Sequence, residues 1–326
     1  LTGWTATRST RKIGWWFPLN GKEGRMRVWV KRIGYTAAGL AGVAVIAAGA
    51  AYAASESRFR RSYAVAPEEL TLVADSVSLA RGEHLASTIG CAECHGEGLR
   101  GAPVIDAPPM GRVVALNLTR GDGGVGAQLT PALVERAVRH GVGHDGHALR
   151  IMPSDDYQNL SDDDMRAIAS YVAHATPVNN VLAPSHIMLL PRVLMVAGVL
   201  PMLPAEKLGA ATAHSVSTPA EGTTEYGLYL ANLAGCRNCH GPGLSGGKMA
   251  AGDPSWGPAA NITTAGGLGK WSEAQFREVL RTGRRPDGSE LKVPMPWKTI
   301  GHMTDDELHA IWLYLHSVPP RAFGNR

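Results

Sequence analysis

The chain has 326 residues, enough for about two domains of ordinary size. At 44% apolar and 18% charged residues it can bury a core, which excludes a disordered polymer; only one uncharged stretch is long enough to span a bilayer, which excludes a polytopic membrane protein. The net charge of +4 belongs to the first 32 residues: eight Lys/Arg there face the single acid Glu23, and 24 basic against 27 acidic residues follow, so the body of the chain carries no basic surplus for nucleic acid.

In chain order, the basic tail 1–32 (Arg8, Arg11, Lys12, Lys22, Arg25, Arg27, Lys31, Arg32) leads into the uncharged run 33–54. A basic flank, an apolar run and Ala51-Tyr52-Ala53, similar to an A-x-A cleavage site, describe either a cleaved secretory signal or a retained anchor. The run's 22 residues match the roughly 20 of a spanning helix and favour the anchor. Either way the basic flank is expected on the cytoplasmic side and the remainder outside it. Met26 would give this segment a conventional short basic lead, so residues 1–25 are assigned no function.

Two similar segments follow. Cys91-Ala92-Glu93-Cys94-His95-Gly96 recurs as Cys236-Arg237-Asn238-Cys239-His240-Gly241, and Gly82 and Gly227 precede them at equal distance. Asn117-Leu118-Thr119 recurs as Asn261-Ile262-Thr263, Arg139-His140-Gly141 as Arg281-Thr282-Gly283, Met152-Pro153 as Met295-Pro296, and Tyr171 as Tyr314. The offset stays between 145 and 142, so the pattern is a duplication, with globular copies expected at 71–180 and 216–326. Each copy is predicted to be helical: a first helix (78–89; 225–234), a middle helix from Thr130-Pro131 or from a Ser272/Gln275 capping box to Gly141 or Gly283, and a last helix from Ser161 or Thr304. Strand signals are weak, and the expected fold is all-α. The segment 181–215 is apolar but broken by Pro184, Pro191 and Pro201, which argues against a spanning helix. It is expected to be a strap packed across both copies; the competing expectation is a surface that docks a membrane subunit or lies in the membrane interface.

All four cysteines lie in the two C-x-x-C-H motifs. Zinc would need both pairs to converge on one ion, yet each heads its own copy; a thioredoxin-like disulfide wants a preceding strand and leaves the His without a role. Covalent haem attachment uses every position: two thiols for two vinyl groups, and the next His for the iron. For the sixth iron ligand only Met152 and Met295 share a position in both copies; Met110, Met165, Met249 and Met303 do not recur. In the first copy His140, His144 and His147 are rivals, but their counterparts Thr282, Pro286 and Ser289 cannot replace an imidazole.

With these features each copy resembles a class I cytochrome c domain, a likeness that implies two haem c groups. Cys91, Cys94, Cys236 and Cys239 would be the attachment thiols, and His95, Met152, His240 and Met295 the axial ligands. It also implies that Gly82/Gly227 and Tyr171/Tyr314 mark the crossing of first and last helices. The second copy, with Trp271-Ser272-Glu273-Ala274-Gln275-Phe276 and Arg281-Thr282-Gly283-Arg284-Arg285-Pro286-Asp287-Gly288, is similar to the cytochrome c subunits of membrane-bound alcohol, gluconate and aldehyde dehydrogenases. Those subunits commonly bear three haems, whereas this chain has two motifs. The resemblance implies an electron-transfer protein, not an enzyme. It would relay single electrons on the periplasmic side of the inner membrane, between a dehydrogenase subunit and a quinol- or oxidase-side complex. A dihaem peroxidase is the alternative, disfavoured by two equivalent Met ligands that leave no open iron.

Overall fold

The computed structural model describes residues 20–66, 68–208, 214–249 and 255–325. Arg8, Arg11 and Lys12 of the basic tail lie outside the described residues, as do 209–213 of the linker. In chain order the elements are α1 (Asn20–Phe59), α2 (Ser76–Thr88), α3 (Cys91–His95), β1 (Ala102–Ala107), β2 (Gly111–Ala115), α4 (Pro131–His140), α5 (Ser154–Tyr157) and α6 (Asp162–His174). There follow β3 (His186–Ile187), α7 (Leu189–Val196), α8 (Ala205–Leu208), α9 (Thr224–Leu233), α10 (Cys236–His240), α11 (Glu273–Thr282), α12 (Trp297–Ile300) and α13 (Asp305–Ser317). The stretch Met26–Phe59 is long and apolar enough to cross a membrane. Up to Ala51 it is a unit of its own; Tyr52–Arg326 form a second, compact one.

The helices begin where short polar side chains can take up orphan amide protons. Thr130 caps α4 with Pro131 in its first turn, and Gly141 ends it at φ 67°. Ser272 and Gln275 form both bonds of a capping box on α11, as do Thr304 and Glu307 on α13. The first helix starts two residues earlier than expected, because Asp75 rather than a later residue accepts from the Ser78 amide.

In each repeat the first and last helices cross at a glycine. A Cβ on Gly82 would lie 2.1 Å from the Ala167 carbonyl oxygen, and one on Gly227 1.9 Å from that of Ala310, with Tyr171 and Tyr314 beside them. Around the α2–α6 crossing Leu85, Leu160, Met165 and Ile168 are buried; around α9–α13 it is Leu230, Met303, Leu308 and Ile311. Each such side chain gains roughly 1.5–3 kcal/mol by leaving water.

The chain is mainly helical, as expected, with one small sheet added. β1 and β2 form an antiparallel hairpin, and β3 pairs Gly111 with Ile187 and Arg112 with His186. β1 carries Pro103 and a register irregularity between Pro103 and Ile105, and its third partner comes from the linker, so no local alternation announced it. The linker also departs from a strap across both copies. Ile187, Met195, Met202 and Leu203 pack with Phe59 and Val113, on the first repeat and the end of α1. Arg192 is turned inward, donating to Ser55 Oγ and the Ile187 carbonyl at 2.9 Å and pairing with Glu56 at 3.0 Å. Leu189, Leu190, Val193 and Val196 remain exposed.

Candidate haem sites

Both C-x-x-C-H segments are single helical turns entered through a left-handed glycine, Gly90 at φ 99° and Gly235 at φ 64°. In both, the histidine Nδ1 donates to a main-chain carbonyl, His95 to Leu116 at 2.9 Å and His240 to Ala260 at 2.7 Å. A carbonyl only accepts, so Nδ1 carries the proton and the lone pair of the neutral ring sits on Nε2, the nitrogen a metal would use. Burial lowers the His95 pKa against that hydrogen bond, which keeps the ring neutral.

The loop behind each turn is braced identically. Gly101 donates to the His95 carbonyl at 2.6 Å and Gly246 to that of His240 at 2.9 Å. Asn117 holds its own loop by accepting from Thr119, and its amide donates to the Val178 carbonyl at 2.7 Å; Asn261 does the same with Thr263 and with the Arg321 carbonyl at 2.7 Å. The repeated Asn-x-Thr is therefore a clamp tying the loop after the Cys motif to the chain that leaves the last helix.

In the first repeat Cys91, Cys94 and His95 line a cavity of about 490 Å³ with Leu118, Val138 and Met152. That volume is ordinary for a cofactor. Tyr157 also lines it and donates to the Ile89 carbonyl at 2.7 Å. His144 and His147 reach the same cavity, whereas His140 lies 3.5 Å from Glu135 in a buried pair. The structure thus brings the predicted Met152 and two of its three rivals to one cavity. In the second repeat Cys236 and Met295 pack against the same buried cluster, and the positions of the two rivals are Pro286 and Ser289.

Burial pushes the Cys91 and Cys236 thiols up to about 12, and the Cys94 thiol upward as well. Thiols held protonated in apolar surroundings do not suit a nucleophilic redox pair. Cys91 and Cys236 also belong to different clusters, so the pairs do not share an ion. Two thiols on one helical turn, an imidazole of fixed tautomer, an apolar cavity and a thioether on its wall fit a covalently held haem.

His84, on α2, is half-buried. Its Nε2 lies 2.7 Å from the Glu307 carboxylate, beside Arg81, which pairs with Asp164 at 2.9 Å and Glu307 at 3.1 Å. Burial alone would raise the Glu307 pKa, but hydrogen bonds from His84 and the Thr304 amide outweigh it and hold the carboxyl at about 2. Asp164 and Glu307 occupy equivalent positions, three residues beyond the caps Ser161 and Thr304, but Arg81 and His84 correspond to Tyr226 and Tyr229, so no repeated motif announces the cluster.

Among known proteins the chain is similar to the fructose dehydrogenase cytochrome subunit of Gluconobacter japonicus, at 31% identity over 75% of this chain and 53% of that protein. It matches the alcohol dehydrogenase (quinone) cytochrome c subunit of Gluconacetobacter polyoxogenes at 30% over 76% and 57%. The gluconate 2-dehydrogenase cytochrome c subunit of Pantoea cypripedii matches at 28% over 75% and 60%. The chain spans little more than half the length of these relatives. Residues 77–172 and 224–315, the two repeats and more than half of the chain, each match one family, and the chain belongs to it: cytochrome c oxidase, cbb3-type, subunit III.

Proposed function

We propose that the protein is a dihaem c-type cytochrome built from two tandem class I cytochrome c domains, at 71–180 and 216–326. It relays single electrons and makes no bonds of its own. Cys91 and Cys94 hold one haem and Cys236 and Cys239 the other; His95 and His240 supply the proximal nitrogens, Met152 and Met295 the distal thioethers. The observation that carries this is the duplication of the whole His environment: turn, tautomer-fixing carbonyl and Asn-x-Thr clamp recur in both repeats. A bound haem supplies a reversible one-electron couple, and His/Met ligation places it at higher potential. The chain's own residues hold the group covalently, fix the imidazole and keep water away from the first cavity with Leu118, Val138 and Ile168.

The relatives named as cytochrome subunits of dehydrogenases support a dehydrogenase subunit as electron donor. The acceptor is a quinol- or oxidase-side membrane complex. The apolar stretch Met26–Phe59 anchors the protein, with the haem domains on the periplasmic side. Equivalent Met residues in both repeats favour electron transfer over a peroxidase, which needs one open iron.

The test is stoichiometry. Pyridine haemochrome titration and intact mass should give two haems per chain, retained after denaturation. Haem extracted by acid acetone from the denatured protein, or one haem per chain, overturns the assignment.

A further inference from the structure

The two repeats meet through contacts that occur in matched pairs. Arg81 and Tyr226 are equivalent residues and touch each other, guanidinium to phenol oxygen at 3.2 Å, as residues beside a two-fold axis do. To one side His84 lies 2.7 Å from Glu307; to the other its equivalent, Tyr229, donates to Asp164, the equivalent of Glu307, at 2.8 Å. Further out the same exchange reaches the haem turns. Asn238 Nδ2 donates to Asp156 Oδ2 at 2.8 Å, and Thr299 Oγ1 donates to Glu93 Oε1.

Glu93 and Asn238 are the same position in the two Cys-x-x-Cys-His turns. Asp156 and Thr299 are the same position in α5 and α12, four residues beyond Met152 and Met295. Each haem turn is therefore tied to the distal loop of the opposite repeat. We propose that Asn238 and Glu93 are positioning residues acting in trans: Asn238 steadies the Met152 loop and Glu93 the Met295 loop, so that each repeat governs how readily the other's distal ligand leaves its iron. The proposal rests on the two-haem assignment above.

For an external ligand to reach a His/Met iron, the methionine must first swing away, and its loop must give up the hydrogen bonds that hold it. A net hydrogen bond is worth a factor of about two to ten in such an opening equilibrium. The two loops are not equally braced. In the first repeat Tyr157 bonds the Ile89 carbonyl, Ser154 bonds the Ala137 carbonyl at 3.1 Å and Lys207 pairs with Asp155 at 2.9 Å. In the second repeat the Tyr157 position is Ile300, which has no group to make the corresponding bond, and the loop is held instead by Arg281, which donates to the Gly301 carbonyl just beyond α12.

The experiment is cyanide binding to the oxidised full-length protein by stopped flow. The two irons are distinguished by comparison with Met152→Ala and Met295→Ala, and haem content is measured in every variant. Asn238→Ala should accelerate binding at the first-repeat iron by about two- to fivefold, although the substitution lies in the second haem turn. Glu93→Ala should accelerate binding at the second-repeat iron by up to about tenfold. Glu93→Gln, whose amide oxygen still accepts from Thr299, should return the wild-type rate. Acceleration at the iron whose own turn was altered, or no acceleration at either iron, overturns the trans role while leaving the two-haem assignment intact. A content of one haem per chain in the wild type overturns that assignment and the proposal with it.

Discussion

At the scale of single residues, the methionines proposed as distal ligands decide between electron relay and catalysis. Met295→Ala removes a thioether from a loop without histidine between Gly283 and Met295. The second iron should become high-spin or water-ligated, with a lower potential, visible by electronic and magnetic spectroscopy. Met152→Ala should differ, because His144 and His147 already line the first cavity and can replace the thioether with a low-spin nitrogen ligand. A spectrum and potential unchanged by Met295→Ala would show that the ligand lies elsewhere. Glu307 makes a second prediction. Its folded pKa of about 2 lies below the usual carboxylate value, so its stabilising effect is complete above about pH 5 and is lost as pH falls toward 2. Glu307→Gln should lower the melting temperature at pH 7, and the deficit relative to wild type should shrink steadily between pH 5 and 3. A pH-independent deficit would contradict the assignment. None of the Arg81–Glu307 contacts was legible in the sequence, because equivalent positions hold unlike residues: Arg81 against Tyr226, His84 against Tyr229.

At the scale of elements, what could be read locally was read closely. Capping boxes, the Pro after Thr130 and the terminating glycines depend on residues within one turn of each other, and α4, α11 and α13 start where these signals lie. The β1–β2 hairpin is local but carries Pro103 and a register irregularity, and its β3 partner comes from the linker, which no short window of sequence contains. The Cys turns were legible as chemistry, whereas the carbonyls that orient His95 and His240 lie 21 and 20 residues away and were not. The crossing glycines carry the clearest element-scale prediction. With a Cβ at 2.1 Å from the Ala167 oxygen, Gly82→Ala must push α2 off α6, and Gly227→Ala must do the same to α9 and α13. A cost of about 1–3 kcal/mol or more follows from overpacking of this kind. Thermal unfolding followed by circular dichroism, with haem content measured in parallel, should show a lower melting temperature for both variants. An unchanged melting temperature would show that the helices do not approach so closely.

At the scale of the whole molecule, charge is segregated. Beyond residue 32 the chain carries 24 basic against 27 acidic side chains, without the basic surplus that makes docking strongly salt-dependent. Electron transfer with its partner should therefore change only modestly between low and physiological ionic strength; a steep fall would point to a concentrated charge patch at the interface. The exposed Leu189, Leu190, Val193 and Val196, with Arg192 withdrawn beneath them, fit that weak dependence.

The meeting of Arg81 with Tyr226 has a consequence for how such an interface can exist at all. In an assembly of two identical chains, a position on the axis meets its own copy, and arginine would face arginine across a buried carboxylate pair. Carrying both halves on one polypeptide removes that constraint: a cation on one side finds a neutral phenol on the other, and both acids are satisfied. The union is also unimolecular, so it has no dissociation constant to exceed and does not weaken on dilution. The two repeats would therefore stay in register at any abundance.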